Sequence, residues 1–359
     1  MKKLNLLFLL LPFSFLLFTS SFFLSAQAKP QRVIVIMTDG LRWQDVFRGM
    51  DPEIANQKKF HHGDSLQIFQ KYWASTLEER RKKLMPFFWS TVQSQGQIHG
   101  NRDKGSLMNV ANPYWFSYPG YSELTTGQVD TAVNSNEYKP NPNTNFFEYV
   151  NTLPAYKGKV VAFGAWNAFD RILNEKRAGF PVINAFDEYV KIGKDNEAQL
   201  LTNMVKDTHR PFGTSEVLDV FMHYQIMHYL KKEKPMAAFL SYGDTDEFAH
   251  EGNYSYYLDG AHAFDKYVKD IWDFVQSDPD YKNQTTILIT TDHGRGEAIK
   301  SQWTSHGQKV LDSHQTWYMM VGNGVQAKGE ITSPEQTYTK ELIHMVSDLM
   351  GLNFRSEKK

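Results

Sequence analysis

The chain has 359 residues, with 39 lysines and arginines against 40 aspartates and glutamates, and it has no cysteine. That balance gives no support to a nucleic-acid partner, which needs a clustered basic surface. The missing cysteines exclude disulfides, thiolate metal ligands and a lipid-modified thiol, and a chain of this length can bury a core large enough to do without such staples.

Residues 1–28 read as a signal peptide. Lys2 and Lys3 give a positive start, Leu4 to Leu24 is mostly apolar, and Ala26-Gln27-Ala28 is a small-x-small cleavage site. The apolar run is nearly long enough to span a membrane. The clean cleavage site and the strand-like segment beginning at Arg32 favour removal over a retained anchor. The expectation is export to a periplasm or beyond, with one mature domain over 29–359 and no membrane anchor. Losing Lys2 and Lys3 moves the formal charge from −1 to −3.

Along the mature chain, Val33 to Met37 is a short continuous apolar run, the pattern of a strand buried on both faces. Thr38-Asp39-Gly40 follows it. Gln44 to Lys83 is irregular and charged and reads as an inserted cap. Met85 to Ser94 predicts a helix and Lys159 to Phe163 a second buried strand. Lys176 to Phe212 reads as another insertion. Val217 to Lys232 repeats apolar residues at helical spacing and stops before Pro235.

A strand over Met236 to Tyr242 leads into Asp246-Glu247-Phe248-Ala249-His250. An amphipathic helix, Tyr256 to Gln276, leads to the strand Thr286 to Thr291 and then Asp292-His293-Gly294. Ser305-His306-Gly307, a strand over Thr316 to Val321, and a helix from Thr339 to Met350 ended by Gly351 complete the series. This alternation predicts an α/β fold: a mostly parallel central sheet flanked by helices, with cap insertions.

Open parallel sheets bind ligands beyond the carboxyl ends of their strands. Asp39, Asp246 and Asp292 each fall just past such an end. Taken singly, Thr-Asp-Gly is a turn, Asp-x-x-x-His a helical ion pair, and Asp-His-Gly only a tripeptide. Taken together they read as a metal site, and carboxylates mixed with imidazoles suit zinc, with manganese as the alternative. Asp246 is preferred to Asp244 because it has the four-residue spacing to His250. His306 and His314 both stand as candidates for a distal histidine ligand, while His223 and His262 lie in helical contexts that suit packing roles.

The segments Met37-Thr38-Asp39-Gly40, Tyr118-Pro119-Gly120-Tyr121-Ser122-Glu123-Leu124-Thr125-Thr126-Gly127 and Thr291-Asp292-His293-Gly294 resemble the alkaline phosphatase superfamily. The likeness is to its nucleotide pyrophosphatase/phosphodiesterase and phosphoglycerate-mutase-like branches, and it runs from Val33 to about Val325. It implies one metal on Asp246, His250 and His306, and another on Asp39, Ser122, Asp292 and His293. It also implies a serine nucleophile, for which Ser122 is the candidate. Two other readings stay open: Glu123 as a metal ligand with direct attack by hydroxide, and Ser122 with Glu123 as a helix cap.

Asn143 matches by position the family's asparagine that holds a non-bridging oxygen. Trp166, Asn167 and Arg171 are weaker pocket candidates. The resemblance implies an exported hydrolase of small phosphate esters, monoester or diester. A sulfatase lacks its Cys-x-Pro-x-Arg or Ser-x-Pro-x-Arg segment here, and a glycolytic mutase would find no cytosolic substrate outside the cell. A catalytically silent metal-binding protein is the alternative from another class.

Overall fold

The computed structural model describes residues 31–358, so the expected signal peptide lies outside the described residues. Ten strands occur among them: β1 (Arg32–Thr38), β2 (Gly96–His99), β3 (Ser106–Asn109), β4 (Val160–Gly164), β5 (Val182–Asn184), β6 (Ala237–Tyr242), β7 (Thr285–Thr291), β8 (Tyr318–Gly322), β9 (Gly329–Glu330) and β10 (Glu335–Tyr338). Eight form one sheet in the order β5-β4-β6-β1-β7-β8-β2-β9, and β10 pairs with β3 separately. Within the main sheet only β8 runs against its neighbours β7 and β2.

The continuous apolar runs have a simple cause: both faces of the sheet are covered. Along β1, Ile34 and Ile36 enter one core together with Leu258, Phe264 and Ile271 of the helix Tyr254–Ser277. Val33, Val35 and Met37 enter the other, against Tyr118, Tyr121 and Leu124 of the helix Ser117–Thr126 and Leu342, Ile343 and Val346 of the helix Thr339–Leu349. A strand with no solvent face needs no polar alternation.

The expected insertions are more regular than their sequences. Residues 43–84 fold into short helices, among them the largely buried Trp43–Arg48 and Ser65–Tyr72 and Leu77–Leu84, whose buried residues are few and spaced three or four apart. The stretch read as a second insertion supplies β5, which extends the sheet beside β4, and a helix over Asn196–Asp207. A three-residue strand is too short to display a period. The expected helix Met85 to Ser94 contains a π-helical segment, Phe88–Val92, and Asp265 accepts the free N–H groups of Phe87 and Phe88 at 2.8 Å each.

Candidate metal centre

The centre is built where β6, β1 and β7 lie side by side. Thr38 pairs with Tyr242 on one side and with Thr291 on the other, so the three strands end level. The next residues of β1 and β7, Asp39 and Asp292, emerge at one height. β6 runs through Gly243 into the helix Asp244–His250, which carries Asp246 and His250.

Each carboxylate of the Asp39 half has one oxygen tied down and one left open. Asp39 Oδ2 accepts from the Tyr121 hydroxyl at 3.1 Å, and that hydroxyl accepts from Ser241 at 2.9 Å. Asp292 Oδ1 accepts from the N–H groups of Gly40 at 3.0 Å and His293 at 2.9 Å. Asp39 Oδ1 and Asp292 Oδ2 are buried without a hydrogen-bond partner. His293 Nε2 stands 3.1 Å from the first and 3.4 Å from the second. Its Nδ1 lies 3.0 Å from the Gly294 carbonyl, which takes the ring proton and leaves Nε2 as a lone-pair donor.

Burial, then the neighbouring Asp246 charge, pushes the Asp39 carboxyl well above its ordinary range. Burial and Asp39 do the same to Asp292. Buried open carboxylate oxygens are costly unless a cation or donor meets them, and here two converge with an imidazole nitrogen.

The Asp246 half is looser. Asp246 Oδ2 is 3.0 Å from His250 Nε2, which is 3.0 Å from His306 Nε2. His306 comes from the segment between the 3-10 turns Lys300–Thr304 and Leu311–His314, and its ring stacks on His293 with centroids 3.9 Å apart. Its Nδ1 faces the Trp115 carbonyl at 3.4 Å. Burial, then the nearby His293, holds the His306 imidazole well below its usual pKa. For Asp246, burial is outweighed by Arg295, His250 and His306, and its carboxyl is held well below the normal range. Two clusters of potential ligand atoms, Asp39–Asp292–His293 and Asp246–His293–His306, each fit within 4.8 Å. This oxygen and nitrogen set fits a divalent ion such as zinc or manganese.

The nucleophile expectation needs correction. Ser122 does not reach the cluster: its Oγ accepts from Asn141 Nδ2 at 2.8 Å. Ser117, the first residue of the same helix, is buried with its Oγ 3.4 Å from His293 Nε2. Five residues of helix separate the two serines by about 7.5 Å and roughly 140°. Gly120 lets the helix sit this close, because a Cβ there would fall 2.4 Å from the Asp292 carbonyl oxygen.

Sequence reasoning passed over Ser117, although Pro119 marks the first turn of a helix and so puts the start just before it. Glu123 is not at the cluster either. It accepts from the backbone N–H groups of Ala111, Asn112 and Lys340, which ties three segments together. Neither residue caps the helix start.

Asn143 is a second correction. Its N–H donates to Asn141 Oδ1 and its Nδ2 to Asp130, a turn role. Asn136 instead stands at the helix start, where its Oδ1 accepts the Tyr118 N–H at 3.0 Å. Arg171 braces that loop through the carbonyls of Asn136 and Tyr138. Asp244 pairs with Asp219 through reciprocal backbone bonds, and burial pushes its carboxyl up to about 7. His314 turns to the Leu311 carbonyl, His262 to that of Leu84, and His223 to the Tyr242 hydroxyl.

Residues 216–312, which include Asp246, His250, Asp292, His293 and His306, match the Metalloenzyme superfamily. The chain has an alkaline-phosphatase-like fold, and the resemblance to that superfamily holds. The alkaline phosphatase PafA superposes with a TM-score of 0.58 at 10% identity, covering 92% of this chain and 97% of that one. Murine ectonucleotide pyrophosphatase/phosphodiesterase 5, solved in complex with AMP, gives 0.54 at 11% identity, covering 90% and 96%. The lipoteichoic acid synthase LtaP from Listeria monocytogenes gives 0.56 at 10% identity, covering 91% and 73%. No curated protein matches the chain. Among the described residues no helix is long and apolar enough to cross a membrane.

Proposed function

We propose that the protein is a metal-dependent hydrolase of small phosphate esters in which Ser117 is the nucleophile. The observation that carries this reading is the pair of open, buried oxygens on Asp39 and Asp292, facing His293 beside a serine at a helix start. Asp39, Asp292 and His293 would hold one divalent ion and Asp246, His250 and His306 another, which would supply activation of a hydroxyl and neutralisation of phosphoryl charge. The chain's own residues do the rest. Ser117 Oγ attacks phosphorus, the bond to the leaving alkoxide breaks, and water then cleaves the phosphoserine. The helix N-terminus favours the phosphoryl group by its dipole and free N–H. With its Oδ1 committed to Tyr118, Asn136 has its Nδ2 donors for a non-bridging oxygen.

The test is aryl-phosphate hydrolysis by purified protein, with bound metal measured alongside. Turnover lost on EDTA treatment and restored by zinc or manganese is the expected result. Protein without metal and without turnover across monoesters and diesters sinks the reading. The sequence signature at residues 1–28 adds the proposal of export; a mature chain beginning at Lys29 by mass spectrometry is the expected outcome, and an intact Met1 form in the cytosol rejects it.

A further inference from the structure

Arg295 and Arg42 are both buried arginines, and they are used differently. Arg42 is matched by Asp45, which takes its Nε at 2.7 Å and Nη2 at 3.0 Å, and its Nη1 reaches Glu297 at 3.2 Å. That is a closed structural pair. Arg295 is 1% exposed and donates only through Nη2, to the main-chain oxygen of Asp246 at 3.0 Å and to its Oδ1. Its Nε and Nη1 are buried with no hydrogen-bond partner among the described residues. A guanidinium with two idle nitrogens is a costly structural device, and its one partner is a candidate metal ligand.

The surrounding chain is shaped for this contact. Gly294 donates to the Ser313 carbonyl and Gly296 to that of Ser305, so the segment folds back just after His293. A Cβ at Gly40 would lie 2.4 Å from Asp246 Oδ1 and 3.1 Å from Arg295 Nε, so a side chain there would part the two. With Oδ1 taken by the guanidinium, Asp246 turns Oδ2 to His250.

We propose that Arg295 is a positioning residue of the Asp246 half, holding Oδ1 and the main-chain oxygen of Asp246 and so fixing the carboxylate that faces His250 through Oδ2 and His306 through Oδ1. This rests on the metal-site reading above. The partner is a full cation, whereas the corresponding partner of Asp39 is the neutral Tyr121 hydroxyl.

The experiment is calorimetric titration of EDTA-stripped protein with Zn²⁺, repeated with Co²⁺ read by its visible absorption. His306→Ala identifies which equivalent belongs to the Asp246 half. Arg295→Met is expected to weaken that equivalent by about 10–100-fold and leave the other unchanged, which doubles as evidence that the variant is folded. Arg295→Lys, which keeps the charge but not the fork, is expected to recover part of the loss and to shift the Co²⁺ bands. Wild-type affinity at both equivalents in Arg295→Met, or tighter binding at the Asp246 half, overturns the proposal, because Arg295 is then a spectator or a competitor of the cation. A wild-type protein that takes up fewer than two ions removes the two-ion reading itself, and the proposal with it.

Discussion

Asp39, Asp292 and His293 leave the level ends of adjacent strands and are buried, whereas His250 and His306 come from a short helix and a loop, with the His250 side chain 43% exposed. In the first half each non-ligating atom is committed: Tyr121 holds Asp39, backbone N–H groups hold Asp292, and the Gly294 carbonyl holds His293. In the second half the principal restraint is Arg295. The contrast teaches that a strand-end site inherits its precision from the sheet. A helix-and-loop site needs a dedicated side chain to set it. The half with fewer restraints also carries the more exposed side chain, His250.

The sharpest way to break this comparison is at the serine helix, which serves the rigid half. Ser117→Ala is expected to lower kcat by about 10³-fold or more with bound metal retained, while Ser122→Ala keeps most of the turnover. The reverse ranking would return the nucleophile to Ser122 and detach the Asp39 half from catalysis.

A second effect is on stability and concerns β6, the strand that leads into the looser half. Burial, only partly offset by Asp270, depresses His223 to about 4 from an ordinary 6.5. Its Nδ1 lies 3.0 Å from the Tyr242 hydroxyl at the end of β6. The unfolded chain takes up a proton that the folded imidazole refuses. The contribution is therefore fully present above pH 6.5 and is lost as the pH falls toward 4, at most about 3 kcal/mol. Urea unfolding at a series of pH values should show this slope in the wild type and a shallower one in His223→Gln. Equal slopes would mean that His223 already titrates normally in the fold.

Tyr121→Phe removes the hydroxyl from Asp39 Oδ2 and keeps the ring that packs edge-on against Phe169. Metal titration should register about a tenfold weaker ion on the Asp39 half with little change in melting temperature. No change would show that the strand end alone orients Asp39. The smallest effect expected is kinetic: under limiting chelator the ion of the Asp246 half should leave first, by a few-fold in rate, given its partly exposed His250. Simultaneous release of both ions would dissolve the distinction between the halves.

Much of this was legible before any coordinates. Apolar runs at Val33 to Met37, Met236 to Tyr242 and Thr286 to Thr291 announce buried parallel strands because strands covered on both faces carry no polar alternation. An acid just beyond each run marks a shared crevice, since parallel strands in one sheet point their carboxyl ends the same way. The spacing Asp246 to His250 puts both residues on one helical face. Asp39, Asp246, His250, Asp292 and His293 could therefore be brought together from chain order, whereas His306 was added by the resemblance to the alkaline phosphatase superfamily.

Tertiary structure decided which of two serines, two aspartates and several asparagines stand in that crevice. Ser117 and Ser122 lie on one helix, and motif register cannot tell them apart. The approach of Gly120 to Asp292 turns the helix start toward His293 and leaves Ser122 beside Asn141. Asp244 is taken by Asp219 and Asn143 by Asp130, pairings between segments whose meeting no local pattern encodes. Arg295 is the clearest case: in the sequence it is a charged residue between two glycines, and only the fold buries it against Asp246. Local periodicity reports which face of an element is apolar, while the partner of a buried charge is set by which elements pack together.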